Sequence, residues 1–154
     1  MHTPLIRSRI LVAAVPKAAV RIERALDGEE LRIVRTVEEA RLALRTDPFR
    51  LAIFGVYFDE SRMFELIPCA RASRLNREIP ILCVLGIARR LSASAVRGLE
   101  ETVRAIGCGW LDISAIPDDA AGYGLLRAAL LSHLPKAATT STDLQTSSQP
   151  PAPR

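Results

Sequence analysis

Strand-length apolar runs alternate with helix-length amphipathic segments along most of the chain, and this alternation constrains the fold more than any single motif. Apolar positions in the intervening segments recur at helical spacing. The five runs are RILVAAV (9–15), LRIVRTV (31–37), FRLAIFGV (49–56), IPILCVLGIA (79–88) and CGWLDI (108–113). Continuous apolar strands separated by helices are typical of a parallel sheet covered on both faces. The sequence therefore predicts an α/β fold with a doubly wound, five-stranded parallel sheet.

Proline, glycine and capping residues set the predicted helix ends. The first helix should begin at Pro16 and stop at Gly28. The helix over 62–76 should be interrupted, or begin late, at Pro68. Ser92 or Ser94 is a candidate cap for the helix over 92–107. The final helix, over 118–134, should be capped by the two aspartates at its start, 118 and 119.

The composition changes near residue 135. At 154 residues the chain is long enough for one domain of common size with its own core. The segment KAATTSTDLQTSSQPPAPR is rich in Ser, Thr, Gln and Pro and has few large apolar side chains. Such a composition cannot bury enough apolar surface to offset ordering. We therefore expect one folded domain over 1–135 and a disordered tail over 136–154.

Composition and charge disfavour several classes of protein. No apolar run reaches the roughly 18 to 20 residues needed to cross a bilayer, and the short N-terminal apolar stretch ends at Pro16, which argues against a signal peptide. The formal charge of +4 is not concentrated on one element, because glutamates are interleaved with the arginines. This distribution disfavours nucleic-acid binding. Cys69, Cys83 and Cys108 are isolated in the sequence, as expected for buried thiols in a reducing cytoplasm, and with so few histidines a zinc site is not predicted.

Several phrases resemble the receiver domain of bacterial response regulators, the CheY-like family. They are RILVAAV in the first strand, TVEEARLALRTDPFRLAIFGV in the second helix and third strand, REIPILCVLG at the fourth strand, and AIGCGWLDI at the fifth. The resemblance covers about residues 7–134. It implies that residues 1–135 form a receiver-like domain with the flavodoxin-like, three-layer α/β sandwich fold.

The residues on which the family's phosphorylation chemistry depends are replaced in this sequence. The family's acidic pair, which holds magnesium, falls on Ala14 and Val15, or one residue earlier if the register slips. Its phosphate-accepting aspartate falls on Gly55. Its hydroxyl residue falls on Leu85, which Gly86 follows, and its lysine falls at about Ile113. The sequence therefore has no predicted catalytic residue, phosphoacceptor or metal site in this degenerate pocket.

Phosphoryl transfer to a carboxylate needs a nucleophile, a divalent cation and a group that holds negative charge. Apolar side chains supply none of these, so the sequence predicts a pseudo-receiver that is not an enzyme and has no cofactor. Asp59 and Glu60 follow the third strand and leave an alternative open, in which one of them is a displaced acceptor or metal ligand. The other interpretation of this pair is a solvated turn at the start of a helix.

Two functions fit such a scaffold. The first is a signalling module that binds protein partners or forms a homodimer. Its predicted surface combines the helix over 92–107, the fifth strand and the last helix, with Trp110, Tyr123 and Arg127 as candidate contacts, although a tryptophan on a short strand more often belongs to the core. The second is a small-molecule sensor in an apolar cavity left by Ala14, Gly55 and Gly86. Phe58 or Leu85 could instead fill that space.

Overall fold

Five parallel strands form one sheet at the centre of the protein. The computed structural model describes residues 9–86 and 91–134. The strands are β1 (Arg9–Ala13), β2 (Glu30–Val34), β3 (Phe49–Gly55), β4 (Ile81–Leu85) and β5 (Gly109–Asp112). They pair in the order β2-β1-β3-β4-β5, and every neighbouring pair is parallel. The predicted α/β fold with a doubly wound five-stranded sheet is confirmed.

Helices cover both faces of this sheet. They are α1 (Pro16–Ala25), α2 (Val37–Thr46), the four-residue turn α3 (Phe58–Ser61), α4 (Met63–Ala72), α5 (Ala93–Ala105) and α6 (Ala120–Leu131). Strand side chains alternate between two cores. One core contains Ile10 and Val12 and packs against α1 and α6. The other contains Leu11 and Ala13 and packs against α2, α4 and α5.

Several predicted helix ends occur where the sequence placed them. Pro16 is the first residue of α1. Ser92 is the N-cap of α5, and its hydroxyl accepts a hydrogen bond of 3.1 Å from the Ala95 amide. Asp119 caps α6 by accepting from the Gly122 amide at 2.7 Å. These caps satisfy amides that have no partner within their own helix.

The segment after β3 differs from the prediction. Pro68 neither interrupts nor delays the helix, because α4 starts at Met63 and continues through it to Ala72. Pro68 is exposed, so the carbonyl that it leaves without a partner one turn earlier can face water. The extra turn α3 precedes α4 and buries Phe58, which is 1% exposed. The three residues after Phe58 adopt left-handed conformations, with φ of 44°, 58° and 65°.

Some predictions fall outside the described residues. The proposed tail over 136–154 and the last two residues of the fourth apolar run, 87 and 88, are among them. Within the described ranges, no helix combines the length and apolar character needed to span a membrane. The candidate site at the strand ends lies inside the described part of the chain, apart from the segment that follows Gly86.

Candidate functional site

The carboxyl ends of β1 and β3 pack directly against each other. The chain winds in opposite directions from these two central strands, and in open α/β sheets ligands usually bind at such a point. Gly55 is the last residue of β3, and Ala14 follows β1 and is 1% exposed. A Cβ atom on Gly55 would lie 3.2 Å from Cα and 3.3 Å from Cβ of Ala14. Glycine therefore allows the ends of β1 and β3 to approach closely, whereas a larger side chain would push the two strands apart.

A second close contact lies at the ends of β4 and β5. A Cβ atom on Gly86 would lie 2.7 Å from Cβ of Ala18 in α1 and 3.8 Å from Cδ1 of Ile113. Ile113 is fully buried, and its amide donates to the Leu85 carbonyl at 3.0 Å. Leu85 is 1% exposed and belongs to the core beneath α2, α4 and α5. The structure thus groups Leu85, Gly86 and Ile113, and separately pairs Ala14 with Gly55.

These contacts place small and apolar residues where the sensor hypothesis required open space. Gly55 and Gly86 both serve as close-packing positions. Val15 is half-buried at the N-cap of α1, where its carbonyl accepts from the Ala19 amide at 2.9 Å. Phe58 and Leu85, the alternative fillers, are both 1% exposed. The predicted degenerate pocket is therefore tightly packed around its two glycines.

Arg21 supplies a cation near these strand ends that the sequence analysis missed. Its guanidinium donates to the carbonyls of Ile113 at 2.9 Å and Ile116 at 2.6 Å, and its Nε lies 3.9 Å from the Asp118 carboxylate. The side chain is 14% exposed. Its charge is thus used to hold the loop after β5 against α1. A single arginine on a helix gives no sequence signal for carbonyls more than 90 residues away.

An open groove lies beside Arg21, on the α1 side of the strand ends. Its volume is about 450 Å³. The residues that line it are Pro16, Lys17, Val20, Arg21, Arg24, Gly86 and Asp118. Of the predicted pocket residues, only Gly86 borders this groove. Two of its basic side chains already have partners, because Arg21 binds two backbone carbonyls and Arg24 donates to the hydroxyl of Tyr123.

Asp59 is bound to the amino end of another helix. Its Oδ2 accepts a hydrogen bond of 2.9 Å from the Val37 amide, the first residue of α2, and lies 3.5 Å from Arg62. An anionic acceptor at a helix amino end satisfies a free amide and interacts favourably with the helix dipole. Glu60 is exposed. Asp59 therefore has a structural partner on α2, which the sequence could not reveal.

The residues at the strand ends do not fit a magnesium ion. Magnesium binds oxygen ligands, above all carboxylates, whereas Ala14, Val15, Gly55 and Ile113 offer no side-chain oxygen. Among residues 9–86 and 91–134, no three His, Cys, Asp or Glu side chains cluster closely enough to hold a metal ion. No step through a bound metal can be derived for these residues.

The three predicted contact residues do not share one surface. Trp110 is only 8% exposed and packs in the core beneath α2, α4 and α5. The hydroxyl of Tyr123 donates to Asp118 and accepts from Arg24 of α1 at 3.1 Å. The structure does not bring these residues together, because Trp110 packs in the core and Tyr123 contacts α1.

Arg127 is likewise a structural residue and not a free surface cation. Its guanidinium donates to the carbonyls of Ala25 at 3.2 Å and Asp27 at 2.9 Å, at the carboxyl end of α1. It also pairs with Glu29 at 3.0 Å. Glu29 in turn pairs with Arg50 of β3. Arg127 therefore joins α6, the end of α1 and the sheet.

Exposed apolar side chains lie on the other side of α6. Leu125 is 62% exposed. It is two residues away from both Tyr123 and Arg127, which face α1, and because each residue turns the helix by 100° it lies on a different side of α6. Ile106, at the end of α5, is 46% exposed. After α6, the His133 ring packs against Gly109, where a Cβ atom would lie 2.8 Å from Cε1. Burial, followed by the nearby Arg104 charge, lowers the pKa of His133.

The fold is similar to solved receiver domains. The response regulator from Hahella chejuensis matches with a TM-score of 0.64 and 20% identity, over 84% of this chain and 96% of that one. The phosphorylated cyanobacterial phytochrome response regulator RcpA matches with a TM-score of 0.65 and 13% identity, over 86% and 97%. The receiver domain of the sensor histidine kinase PA1611 from Pseudomonas aeruginosa, solved with magnesium in its active-site cleft, gives 0.59 and 16%, over 82% and 97%.

No protein-family model matches the sequence, and no curated protein matches it either. At identities of 20% and below, the structural similarity establishes the fold alone. The chain therefore has the receiver fold, and its chemistry must be argued from its own side chains.

Proposed function

We propose that the chain is a pseudo-receiver, a non-enzymatic signalling module that acts through protein contacts and does not depend on phosphorylation. The observation that carries this proposal is the contact between Gly55 and Ala14, in which two apolar positions close the strand ends where receivers bind phosphate and metal. Solved proteins with this fold include response regulators and a receiver of a sensor kinase. We also propose that the protein is cytoplasmic, because it shares the fold of these signalling proteins.

The electrostatics of the strand ends support this proposal. Transfer of a phosphoryl group to an aspartate requires groups that hold the negative charge of the transition state. Here Arg21, whose guanidinium lies at the end of β5, already binds two backbone carbonyls. The nearest carboxylate after β3, Asp59, already accepts from the amide of Val37. Recruiting either group would first break these structural hydrogen bonds.

The alternative function, a small-molecule sensor, gains no support from the predicted pocket. It required an apolar cavity at Ala14, Gly55 and Gly86. Ala14 is 1% exposed, and the contacts at the two glycines are as short as 3.2 Å and 2.7 Å for an added Cβ atom. We therefore retain protein binding as the proposed function.

Leu125 is the best candidate for a binding residue on the surface formed by α5, β5 and α6. It is the most exposed of the large apolar side chains in the described part of the chain. Exposed apolar side chains on a signalling scaffold are suited to a protein partner or to a second copy of the chain.

Phosphorylation can be tested with acetyl phosphate and magnesium. We expect no acid-labile adduct by intact mass under conditions that modify an active receiver domain run in parallel. Beryllofluoride with magnesium should also leave Trp110 fluorescence unchanged. Gly55→Asp alone should remain nearly inactive, because it restores neither the metal ligands nor the lysine. An adduct that maps to Asp59 or Glu60, and disappears in the corresponding Asn or Gln variant, would refute the proposal.

The interaction surface is tested by comparing two leucines of similar exposure. Leu125→Glu should weaken self-association in sedimentation, or weaken capture of signalling proteins from the native cell. Leu42→Glu, on α2 and 54% exposed, is the matched control and should change neither. Both variants should unfold at the wild-type midpoint, since neither side chain is buried. Equal effects of the two variants, or none from Leu125→Glu where association is measurable, would contradict the assignment.

A further inference from the structure

Two of the three thiols lie together in the core, although they are separated by 25 positions in the sequence. Cys83 is in the middle of β4 and fully buried, and Cys108 precedes β5 and is 6% exposed. Cys83 is opposite Trp110 in the parallel register, so Cys108 is its diagonal neighbour on the same face of the sheet. Both side chains belong to the core beneath α2, α4 and α5.

Arg71 adds a positive charge to this pair. It projects from α4, and its NH1 donates to the carbonyls of Arg77 and Ile79, both at 2.8 Å. The second bond anchors the guanidinium just before β4, the strand that carries Cys83. Interaction with the Cys83 thiol, followed by the positive charge of Arg71, lowers the pKa of Cys108. Interaction with Cys108, together with burial, raises the pKa of Cys83. One sulfur is thus favoured as a thiolate and its neighbour as a thiol.

Glycines flank Cys108 on both sides. Gly107 has a φ of 84°, a left-handed conformation that glycine adopts without strain, and Gly109 begins β5. Diagonal neighbours in a sheet lie slightly farther apart than disulfide geometry allows. A sulfur–sulfur bond would therefore require Cys108 to move toward β4, and the flanking glycines make that backbone unusually adaptable.

We propose that Cys83 and Cys108 form an oxidation site that hydrogen peroxide converts to a disulfide. The Cys108 thiolate attacks the peroxide oxygen, which gives a sulfenic acid and releases hydroxide. The Cys83 sulfur then attacks the Cys108 sulfur, the sulfenic oxygen leaves as water with the Cys83 proton, and the disulfide forms. Two thiols are oxidised and one peroxide is reduced to two waters. A dithiol reductant reverses the reaction.

This site is independent of the phosphorylation chemistry discussed above. Oxidation would draw the turn before β5 toward β4 and disturb Trp110, which lies next to both cysteines in the sheet. The move would also act on the end of α5, because the Cys108 amide donates to the Val103 carbonyl. Oxidation would thereby reshape the layer that carries Ile106.

Cys69 provides an internal reference. It is half-buried on α4, and its thiol donates to the Glu65 carbonyl. If exposure alone controlled oxidation, Cys69 would react first. If the cluster controls it, Cys83 and Cys108 will be lost together while Cys69 remains.

The test uses the reduced full chain treated with hydrogen peroxide. We expect the thiols titrated after denaturation to fall from three to one. Peptide mapping should show Cys83 joined to Cys108, and Trp110 fluorescence should change and then recover with dithiothreitol. Loss confined to Cys69, or disulfide-linked dimers through it, would overturn the proposal.

Variants test which sulfur reacts with the peroxide and which one then forms the disulfide. In Cys83→Ala, dimedone should trap a sulfenic acid at Cys108, whereas in Cys108→Ala the Cys83 thiol should survive. Arg71→Gln should slow formation of the disulfide, and Arg71→Lys should restore much of the rate, because the charge is what the thiolate needs. Oxidation of Cys83 at the wild-type rate in Cys108→Ala would refute the assigned order, and an unchanged rate in Arg71→Gln would refute the role of Arg71. Wild-type peptide mapping decides the site even if a variant fails to fold.

Discussion

Replacing Asp59 with Asn, Gly and Ala should separate two roles that this residue has after β3. Its carboxylate accepts from the Val37 amide at 2.9 Å, and its backbone adopts a left-handed conformation with φ of 44°. Asn keeps a side-chain acceptor and tolerates this conformation. Gly tolerates the conformation but loses the acceptor. Ala loses both advantages.

The expected costs follow from these contacts. Loss of a capping acceptor costs about 1 kcal/mol, and a left-handed Ala costs about 1 kcal/mol more than a left-handed Gly. Asp59→Ala should therefore lower the free energy of unfolding by about 2 kcal/mol, and Asp59→Gly by about 1 kcal/mol. Asp59→Asn should cost less than about 1 kcal/mol, the sum of a weakened dipole interaction and a partly exposed ion pair with Arg62.

Urea unfolding, followed by circular dichroism and Trp110 fluorescence, measures these differences. A loss of 2 kcal/mol corresponds to a fall of roughly 4 to 8 °C in thermal midpoint for a domain of this size. Glu60→Gln is the control, because the residue is exposed and adjacent, and it should change stability by less than about 0.5 kcal/mol.

The order of the three variants decides the question. If Asn is as costly as Ala, the negative charge matters and the capping geometry does not. If all three variants match Glu60→Gln, Asp59 has no structural role, and the displaced-acceptor hypothesis for this carboxylate regains its strength.

Three further predictions concern stability. Glu29→Ala should lower the free energy of unfolding by about 1–3 kcal/mol in urea, since it leaves Arg50 and Arg127 without their shared carboxylate; a change below 0.5 kcal/mol would show that this network is dispensable. Trp110→Ala should cost about 3–5 kcal/mol and Trp110→Phe clearly less, because the side chain is 8% exposed; a neutral Ala variant would return Trp110 to the surface. A chain ending at Lys136 should keep the thermal midpoint of the full chain, because the segment beyond it is poor in large apolar residues; a clear drop would show that this segment contributes to folding.

The fold could be predicted because its determinants are local. Periodicity identified five strands and most of the helix limits, and Pro16, Ser92 and Asp119 act as the sequence predicted. The helix after β3 was predicted less well. Its start at Met63 and its passage through Pro68 depend on the burial of Phe58 and on the exposure of Pro68, which no local pattern encodes.

The candidate surface could not be predicted, because helical spacing does not say which neighbour a helix meets. Tyr123 and Arg127 were grouped with Trp110, yet they bind α1 and the loop that follows it. The exposed Leu125 lies one helical step from the buried Leu126. Only the position of α6 against α1 distinguishes these sides.

The sequence by itself determined which elements form and which chemical groups the strand ends have. Apolar periodicity depends on neighbours a few residues apart, and the side chains at positions 14, 55 and 113 are fixed by the chain. Only the tertiary structure decided the long-range pairings: Asp59 with the amide of Val37, Arg21 with the carbonyl of Ile113, and Cys83 with its diagonal neighbour Cys108. These contacts join residues 22 to 92 positions apart. They arise because the winding of the sheet brings distant segments together, and no local pattern records such a meeting.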